Sequence, residues 1–416
     1  MKQSDLIKYR TIFETEVREN ILPFWIKHGV DQERGGFHGE VDLAGNPIKT
    51  ANKACVLVTR ILWTFAAAAR VFDDQEYRVL AKRAYDMINC SFSDREYGGY
   101  YMQLSYDCKP VEDIKHTYSQ AFALYSLCEY YRLEPTDALL DQIQQVFHLL
   151  EEKTKDPNHP GYGEAFTRQW NPIEENRMAD SNEPKTMNTH LHMLEAYASV
   201  YRIWKNERVG QRLRELIDIF LEYIIGDSNH FKIFFHDDFT ESNQSKGITS
   251  FGHDIEGQWL LCEAAEILGN EPLKEKVKSV AIKMVDTVQR EGVDKDGGLF
   301  LESTRFGSHL RTNKHWWLQA ENLVGFMNAY QLTGDQKYWD IVKLSWKFID
   351  DHVIDHEQGE WYAKVNRLGV PFLTEPPDDP SPYYRNDRKI DAWKCPYHNS
   401  RACLEMIYRI NEMLIR

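Results

Sequence analysis

Short segments rich in glycine and aromatic residues recur along the chain: RGGFHGEVD (34–42), YGGYYMQLS (97–105), HPGYGEAFT (159–167), DGGLFLEST (296–304) and QGEWYAKVN (358–366). Their central glycines fall at 36, 99, 161, 298 and 359, so the gaps are 63, 62, 137 and 61 residues. The long gap holds two units, and FKIFFHDDF (231–239) fits as a degenerate member that lacks the glycines. Six such units constrain the fold strongly. Each is one supersecondary element that cannot bury its apolar face alone, so neighbouring copies must cover one another.

Each segment is followed by an apolar run of helical period: 53–72, 115–133, 187–204, 252–268, 315–332 and 397–414. These runs are apolar over more than one face, which predicts helices covered on most sides. Between each and the next glycine segment lies a more charged run with a single apolar stripe, as in 136–154, 271–288 and 336–353. Short polar turns (FDDQ, LEPT, LGNE, TGDQ) join the two kinds. The chain opens on another one-striped helix, with Leu6, Tyr9, Phe13 and Val17 at helical spacing. Six one-striped and six buried helices predict an all-α fold, an (α/α)6 barrel with an inner ring inside an outer ring, formed as a single domain over 1–416. An open superhelix would bury the inner helices less completely and would need polar caps. In the barrel all the glycine/aromatic loops lie at the end where the inner helices begin, and they make a concave mouth.

Composition narrows the function classes. The net charge is −14 and there is no Lys/Arg-rich run, which argues against a nucleic-acid partner. No stretch is expected to reach the roughly 20 apolar residues of a membrane span. The start, MKQSDLIKYRTIF, lacks the features of a signal peptide. The seven cysteines include no CxxC and several lie in apolar helical runs; they are expected to be reduced core residues of a cytoplasmic protein. A monomer is expected.

The first turns of the predicted inner helices carry residues that a core helix does not need: Arg60; Tyr118 and Gln120; Asn188, His190 and His192; His253, Glu256 and Trp259; Trp316, Trp317 and Glu321; His398 and Arg401. A lone buried histidine is usually a hydrogen-bonded core residue. Polar groups from all six helices at one mouth suggest chemistry, because buried charges are costly unless paired. His253 and Glu256 are i, i+3, so the carboxylate is expected to orient the imidazole. Trp317 and Glu321 share a face, as stacking platform and acceptor for sugar hydroxyls; alternatively, Glu321 pairs with an arginine. His190 and His192 point apart, and His192 is expected to face the cavity. Zinc could be held by three histidines and a glutamate, but no HExxH or similar spacing supports a metal site. A glycosidase would use two carboxylates, from Glu256, Glu321 and Asp254, yet the enrichment is in histidine. A sugar-binding module would not explain several bases around one cavity. Phosphate chemistry lacks a GxxxxGK[ST] motif.

The motifs KACVLVTRILW, KHTYSQAFALY, MNTHLHMLEAY, FGHDIEGQWLL, KHWWLQAENLVGF and DAWKCPYHNSRACLEM, spread in order over 53–408, resemble the N-acylglucosamine 2-epimerase superfamily and, within it, the cellobiose 2-epimerases. The resemblance implies an (α/α)6 barrel acting on β-1,4-linked disaccharides, converting a reducing-end glucose to mannose or the reverse without a metal or redox cofactor. It also implies that His253 and His398 are the acid/base pair, that His192 and Arg60 hold and stabilise the intermediate, and that Glu256 supports His253. Tyr118, Asp180, Asn188, Trp317, Glu321 and Trp393 resemble substrate-contacting positions; Trp259, as a wall of the same mouth, and Trp316 are expected to bind substrate too. Inverting C2 requires ring opening, removal of the C2 proton to give an enediolate, and return of a proton to the other face. Two histidines flanking C2 suit that exchange, as would one base with a rotation of the intermediate, and an arginine suits the oxyanion. A monosaccharide 2-epimerase or an aldose–ketose isomerase could use the same histidines. The Pro- and Asp-rich stretch 366–396 lengthens the last repeat and reads as a loop over the mouth, with Trp393 placed to stack on a second sugar ring. Its alternative reading is an ordinary surface insertion.

Overall fold

The computed structural model describes residues 3–173, 182–304, 306–374 and 385–415. Among these residues the chain forms twelve helices, several of which close on a wider π-type turn: α1 (3–29), α2 (Cys55–Phe72), α3 (75–92), α4 (Thr117–Leu133), α5 (Asp137–Lys153), α6 (Met187–Ile203), α7 (207–224), α8 (Phe251–Leu268), α9 (Glu271–Glu291), α10 (Trp316–Thr333), α11 (336–353) and α12 (Tyr397–Ile415). The even-numbered helices pack side by side in a ring, and α12 returns to touch α2. The odd-numbered helices lie outside it: α3 on α2, α5 on α4, α7 on α6, α9 on α8, α11 on α10, and α1 on α12. The first helix therefore covers the last, and the (α/α)6 barrel is closed.

The hydropathy patterns account for the layers. In α2 every residue from Cys55 to Ala69 is buried, because the helix has neighbours on all sides. By length and composition alone α2 is long and apolar enough to cross a membrane, which corrects the expectation that no stretch approaches a span; its apolar surface is instead covered by α3 outside it and by α4 and α12 beside it. The α1 stripe behaves as its spacing predicts. Leu6, Phe13 and Val17 are buried, and Tyr9 and Phe13 meet Trp339 and Trp346 of α11 edge-on at 5.1 and 4.9 Å. A buried Phe of this kind contributes roughly 2–3 kcal/mol. All seven cysteines are unpaired, but Cys90 departs from the expected core placement and is exposed at the end of α3.

Each glycine segment reverses the chain tightly, closing on the bridges Val30–Phe37, Ser93–Tyr100, Lys155–Tyr162, Ile225–Phe231, Val293–Leu299 and Ile354–Trp361. The degenerate fourth member thus occupies its predicted place. The residues entering each inner helix then pair antiparallel with the next loop: 53–54 with 103–104, 115–116 with 165–166, 185–186 with 234–235, 249–250 with 302–303, 314–315 with 364–365, and, closing the cycle, 388–390 with 41–42.

Buried lysine–aspartate pairs pin these loops: Lys53–Asp31 (3.2 Å), Lys115–Asp94 (2.9 Å), Lys185–Asp156 (2.7 Å), Lys314–Asp294 (3.3 Å) and Lys389–Asp355 (2.8 Å). The fourth unit has no lysine at this place. There His230 Nδ1 meets Asp254 Oδ2 at 2.7 Å, and the Phe231 amide donates to Asp254 at 2.8 Å. Asp254, a candidate carboxylate by sequence, is therefore a loop anchor. Gln120, His190 and Gln319 do the same for the amides of Tyr100, Tyr162 and Leu299.

Candidate active site

The mouth ends of the inner helices bring together most of the residues singled out by sequence. At the centre is Arg401 of α12, fully buried. Its Nη2 donates to Glu256 Oε1 and to Glu321 Oε1, both at 2.6 Å, and its Nη1 donates to Glu195 Oε1 and Tyr397 Oη. Two of these carboxylates go on to hold an imidazole. Glu321 Oε1 accepts from His398 Nδ1 at 2.7 Å, and Glu195 Oε2 accepts from His192 Nδ1 at 3.0 Å. A carboxylate accepts only, so each Nδ1 carries the proton and each Nε2 presents its lone pair. Glu321 is fixed further by the Trp259 indole N–H at 3.1 Å.

His253 stands apart from this hub. Its Nδ1 lies 2.8 Å from the hydroxyl of Ser250, the residue capping α8. The Trp317 ring packs against both remaining histidines, 4.9 Å from His253 and 5.6 Å from His398. His192 packs on Tyr118 and Phe122, at 4.9 and 4.5 Å. Arg60 donates to the Tyr118 hydroxyl at 2.7 Å and reaches Cys395 Sγ at 3.8 Å. Its guanidinium lies 4.3 Å from the Phe122 ring centre and 6.0 Å from that of Trp393, and it has no carboxylate partner among the described residues. The Arg60 Nε and Asn188 Oδ1 atoms are buried with no hydrogen-bond partner there.

Burial sets the protonation states. It pushes the His253 and His398 imidazoles down to about 3, against the opposing pull of Glu321. It lowers His192 as well, with Glu195 opposing. All three are neutral near pH 7 and able to accept a proton. Burial raises Glu256 to about 8, helped by the Glu321 charge. Burial also works against the Glu321 anion, but Arg401 and His398 outweigh it and hold its carboxyl low. Glu256 is therefore the protonated member of the pair at neutral pH. Glu256, Glu321 and His398 have ligand atoms within 4.8 Å of one another, close enough to share a metal ion. The Arg401 Nη2 already bridges the two carboxylates, and a dication there would face its positive charge.

Three sequence expectations change. Glu256 does not orient His253; Arg401 takes Glu256, and the His253 ring turns back to Ser250. Trp316 is sunk in the wall with the Lys394 ammonium over its face, and Trp259 is buried with its N–H committed to Glu321, so neither is open to contact substrate as expected. Glu321 serves His398 and Arg401 and is not free to accept from sugar hydroxyls. His190 and His192 do point apart, the first to the loop amide and the second into the site. Asn188, Trp317 and Trp393 are only partly buried at the mouth, and Trp393 packs 5.9 Å from Tyr118. Asp180 lies outside the described residues. Sequence reasoning missed Glu195, Ser250 and Tyr397. Glu195 carried a usable signal, its i, i+3 spacing from His192; the other two did not.

The profile of the N-acylglucosamine 2-epimerase (GlcNAc 2-epimerase) family matches residues 35–384. The chain belongs to this family. It is 38% identical to the cellobiose 2-epimerase of Bacteroides fragilis over 95% of its own length and 97% of that protein's, and 36% identical to that of Ruminococcus albus over the same shares. Among solved structures, the cellobiose 2-epimerase of Bacillus thermoamylovorans superposes with a TM-score of 0.89 at 35% identity, over 97% of this chain and 99% of that one. A D-mannose isomerase structure superposes with a TM-score of 0.83 at 22% identity over 96% of this chain and 97% of that one, a likeness of fold.

Proposed function

We propose that this family member epimerises C2 of the reducing-end sugar of β-1,4-linked disaccharides, interconverting glucose and mannose at that position. The observation that carries the reading is the set of neutral imidazoles at one mouth, with Trp317 against both His253 and His398 and the carboxylate-free Arg60 beside them. Once the sugar ring has opened, the C2 proton is acidic enough to be taken by a histidine Nε2. The imidazolium formed at His398 is stabilised by Glu321, and Arg60 stabilises the developing enediolate oxygen. His253, held by Ser250 and not by a carboxylate, takes a proton from solvent once the enediolate's negative charge has formed beside it and delivers that proton to the opposite face, while His398 gives the abstracted proton back to solvent. His192, oriented by Glu195, completes the grip on the open chain. The chemistry is proton exchange between C2 and solvent through the two histidines, so label from the solvent should enter at C2.

The similarity to cellobiose 2-epimerases across nearly the whole chain favours a disaccharide over a monosaccharide. Trp393 supports this, since it stands at the mouth against Tyr118 and Arg60 at the end of the long sixth loop. We further propose a cytoplasmic role in the use of disaccharides derived from mannan, a reading supported by the seven unpaired cysteines and by the disaccharide substrate class. The test is incubation with cellobiose, mannobiose, lactose, N-acetylglucosamine and mannose, with products resolved by NMR in deuterated water. Epimers of the 4-linked disaccharides carrying deuterium at C2 are expected. Free monosaccharides released from them, or ketoses as the main products, would replace this reading with hydrolysis or isomerisation.

A further inference from the structure

In four of the six loops the bridging positions are seven apart in sequence, with six residues between them, and the residue just before the second bridge takes a left-handed backbone. In three of them it is glycine: Gly36 (φ 68°), Gly99 (φ 71°) and Gly161 (φ 85°). In the sixth it is Glu360, at φ 64°. A side chain with a Cβ is strained in this region, and such strain persists where the surroundings over-determine it. Glu360 is also a fully buried charge.

Its contacts show what it does there. Its carboxylate accepts from Asn399 Nδ2 at 2.5 Å, from the Lys394 ammonium, and from the Trp361 amide at 2.7 Å. Its own N–H donates to Asn20 Oδ1 of α1 at 2.8 Å. In the second and third loops the amide after the left-handed glycine is held from the inner helix, by Gln120 and His190, whereas the first loop has the apolar Val58 at that place. At the matching position α12 offers only Ser400, whose hydroxyl has no partner among the described residues. Glu360 replaces that anchor from the loop side. Its two side-chain partners are the immediate neighbours of Trp393 and His398.

We infer that Glu360 is a positioning residue for the active site: it fixes the start of α12, and with it His398, together with the loop end that carries Trp393. The inference builds on the proposed epimerase reading for its kinetic arm only. All three groups that meet the carboxylate, two side chains and one backbone amide, are donors. An amide offers one acceptor oxygen and turns N–H groups toward the rest, so Glu360→Gln cannot reproduce the arrangement. The double variant Glu360→Gly/Lys394→Met restores the backbone that the sister loops use and removes both buried charges together.

The experiment compares the two variants with wild type by 15N NMR of the histidine rings and by kcat and KM for cellobiose. The His398 signals are assigned through His398→Asn. Expected results are a folded double variant with displaced His398 ring signals and unmoved His190 signals, kcat down at least tenfold, and KM within about threefold. Glu360→Gln should show the same pattern more weakly, and it serves as the test if the double variant does not fold. Wild-type His398 signals and wild-type kcat in either folded variant would overturn the inference. If the wild-type protein turns over no sugar at all, the functional reading fails, while the ring signals still decide the positioning role.

Discussion

Replacing Glu321 by glutamine tests the centre of the site with almost no change of shape. Glu321 receives three donors, from His398 at 2.7 Å, Arg401 at 2.6 Å and Trp259 at 3.1 Å, and donates nothing. A glutamine that keeps its oxygen toward His398 and Arg401 turns its amide N–H groups toward the Trp259 N–H. Stranding that buried donor costs about 1–3 kcal/mol. Loss of the Glu321 negative charge also removes the repulsion that raises Glu256, which offsets part of this. The expected net loss of stability is therefore on the order of 1–3 kcal/mol, read from urea unfolding. The catalytic loss is larger. An imidazolium formed at His398 beside the Glu321 carboxylate gains about 4 kcal/mol at the effective dielectric of a protein site. The glutamine oxygen still accepts from Nδ1, so the tautomer and the free Nε2 persist, but that charge stabilisation is gone. The expected fall in kcat is about 10²–10³-fold with KM little changed, because the loss falls on the transition state. Rates on cellobiose and C2 deuterium incorporation should fall together. A folded Glu321→Gln enzyme with kcat within about threefold of wild type would refute the role of this carboxylate.

The burial-raised Glu256 binds its proton more tightly folded than unfolded, so its contribution to stability is present below about pH 4.5 and is lost as pH rises through about 8. Glu256→Gln should flatten the stability profile across that window, measured as urea midpoints. His253 and His398, pushed down to about 3 by burial, act oppositely: their contribution is present above about 6.5 and is lost as pH falls toward 3, so His398→Asn should soften the acid limb. Trp393→Ala should reduce turnover of cellobiose more than that of mannose or N-acetylglucosamine; equal losses would remove Trp393 from recognition of the second ring. Lys389→Met leaves Asp355 without its buried cation and should cost roughly 3–5 kcal/mol in unfolding experiments.

The architecture was legible because it is periodic. Glycines 61–63 residues apart and two kinds of amphipathic pattern predict the barrel, and even the glycine-poor fourth unit is found where the gap demands it. The loop anchors were less visible, since Lys53 and Asp31 or Lys115 and Asp94 lie about twenty residues apart and become partners only when the loop folds onto the helix entry. Within the site, the i, i+3 rule was applied to His253 and Glu256 and failed there, although it holds for His192 and Glu195. Both spacings allow the contact. The difference is made by competitors outside the helix: Arg401 draws Glu256 inward, and the Ser250 hydroxyl offers His253 a partner at the helix cap. Local spacing states which contacts are possible, and the tertiary partner with the stronger charge chooses among them.

That tertiary partner also bears on the choice between a closed barrel and an open superhelix, which periodicity alone left to a packing argument. In an open array each helix meets only its neighbours. Arg401 of α12 reaches Glu321 on the adjacent α10, but it also reaches Glu256 on α8 and Glu195 on α6, helices on the far side of the ring. Arg60 of α2 likewise meets Tyr118 of α4 on one side and Cys395, just ahead of α12, on the other. A buried guanidinium and the three carboxyl groups that meet it from three other inner helices can satisfy one another only if the ring closes, and a buried charge left unpaired there would cost several kcal/mol. The arginine that orients two histidines through their carboxylates is thus also a reason for the helices to meet around an axis. Site and barrel closure rest on the same ion cluster, so variants at Arg401 should lower stability and activity together, whereas variants at His253, outside that cluster, should lower activity with a much smaller change in stability near pH 7.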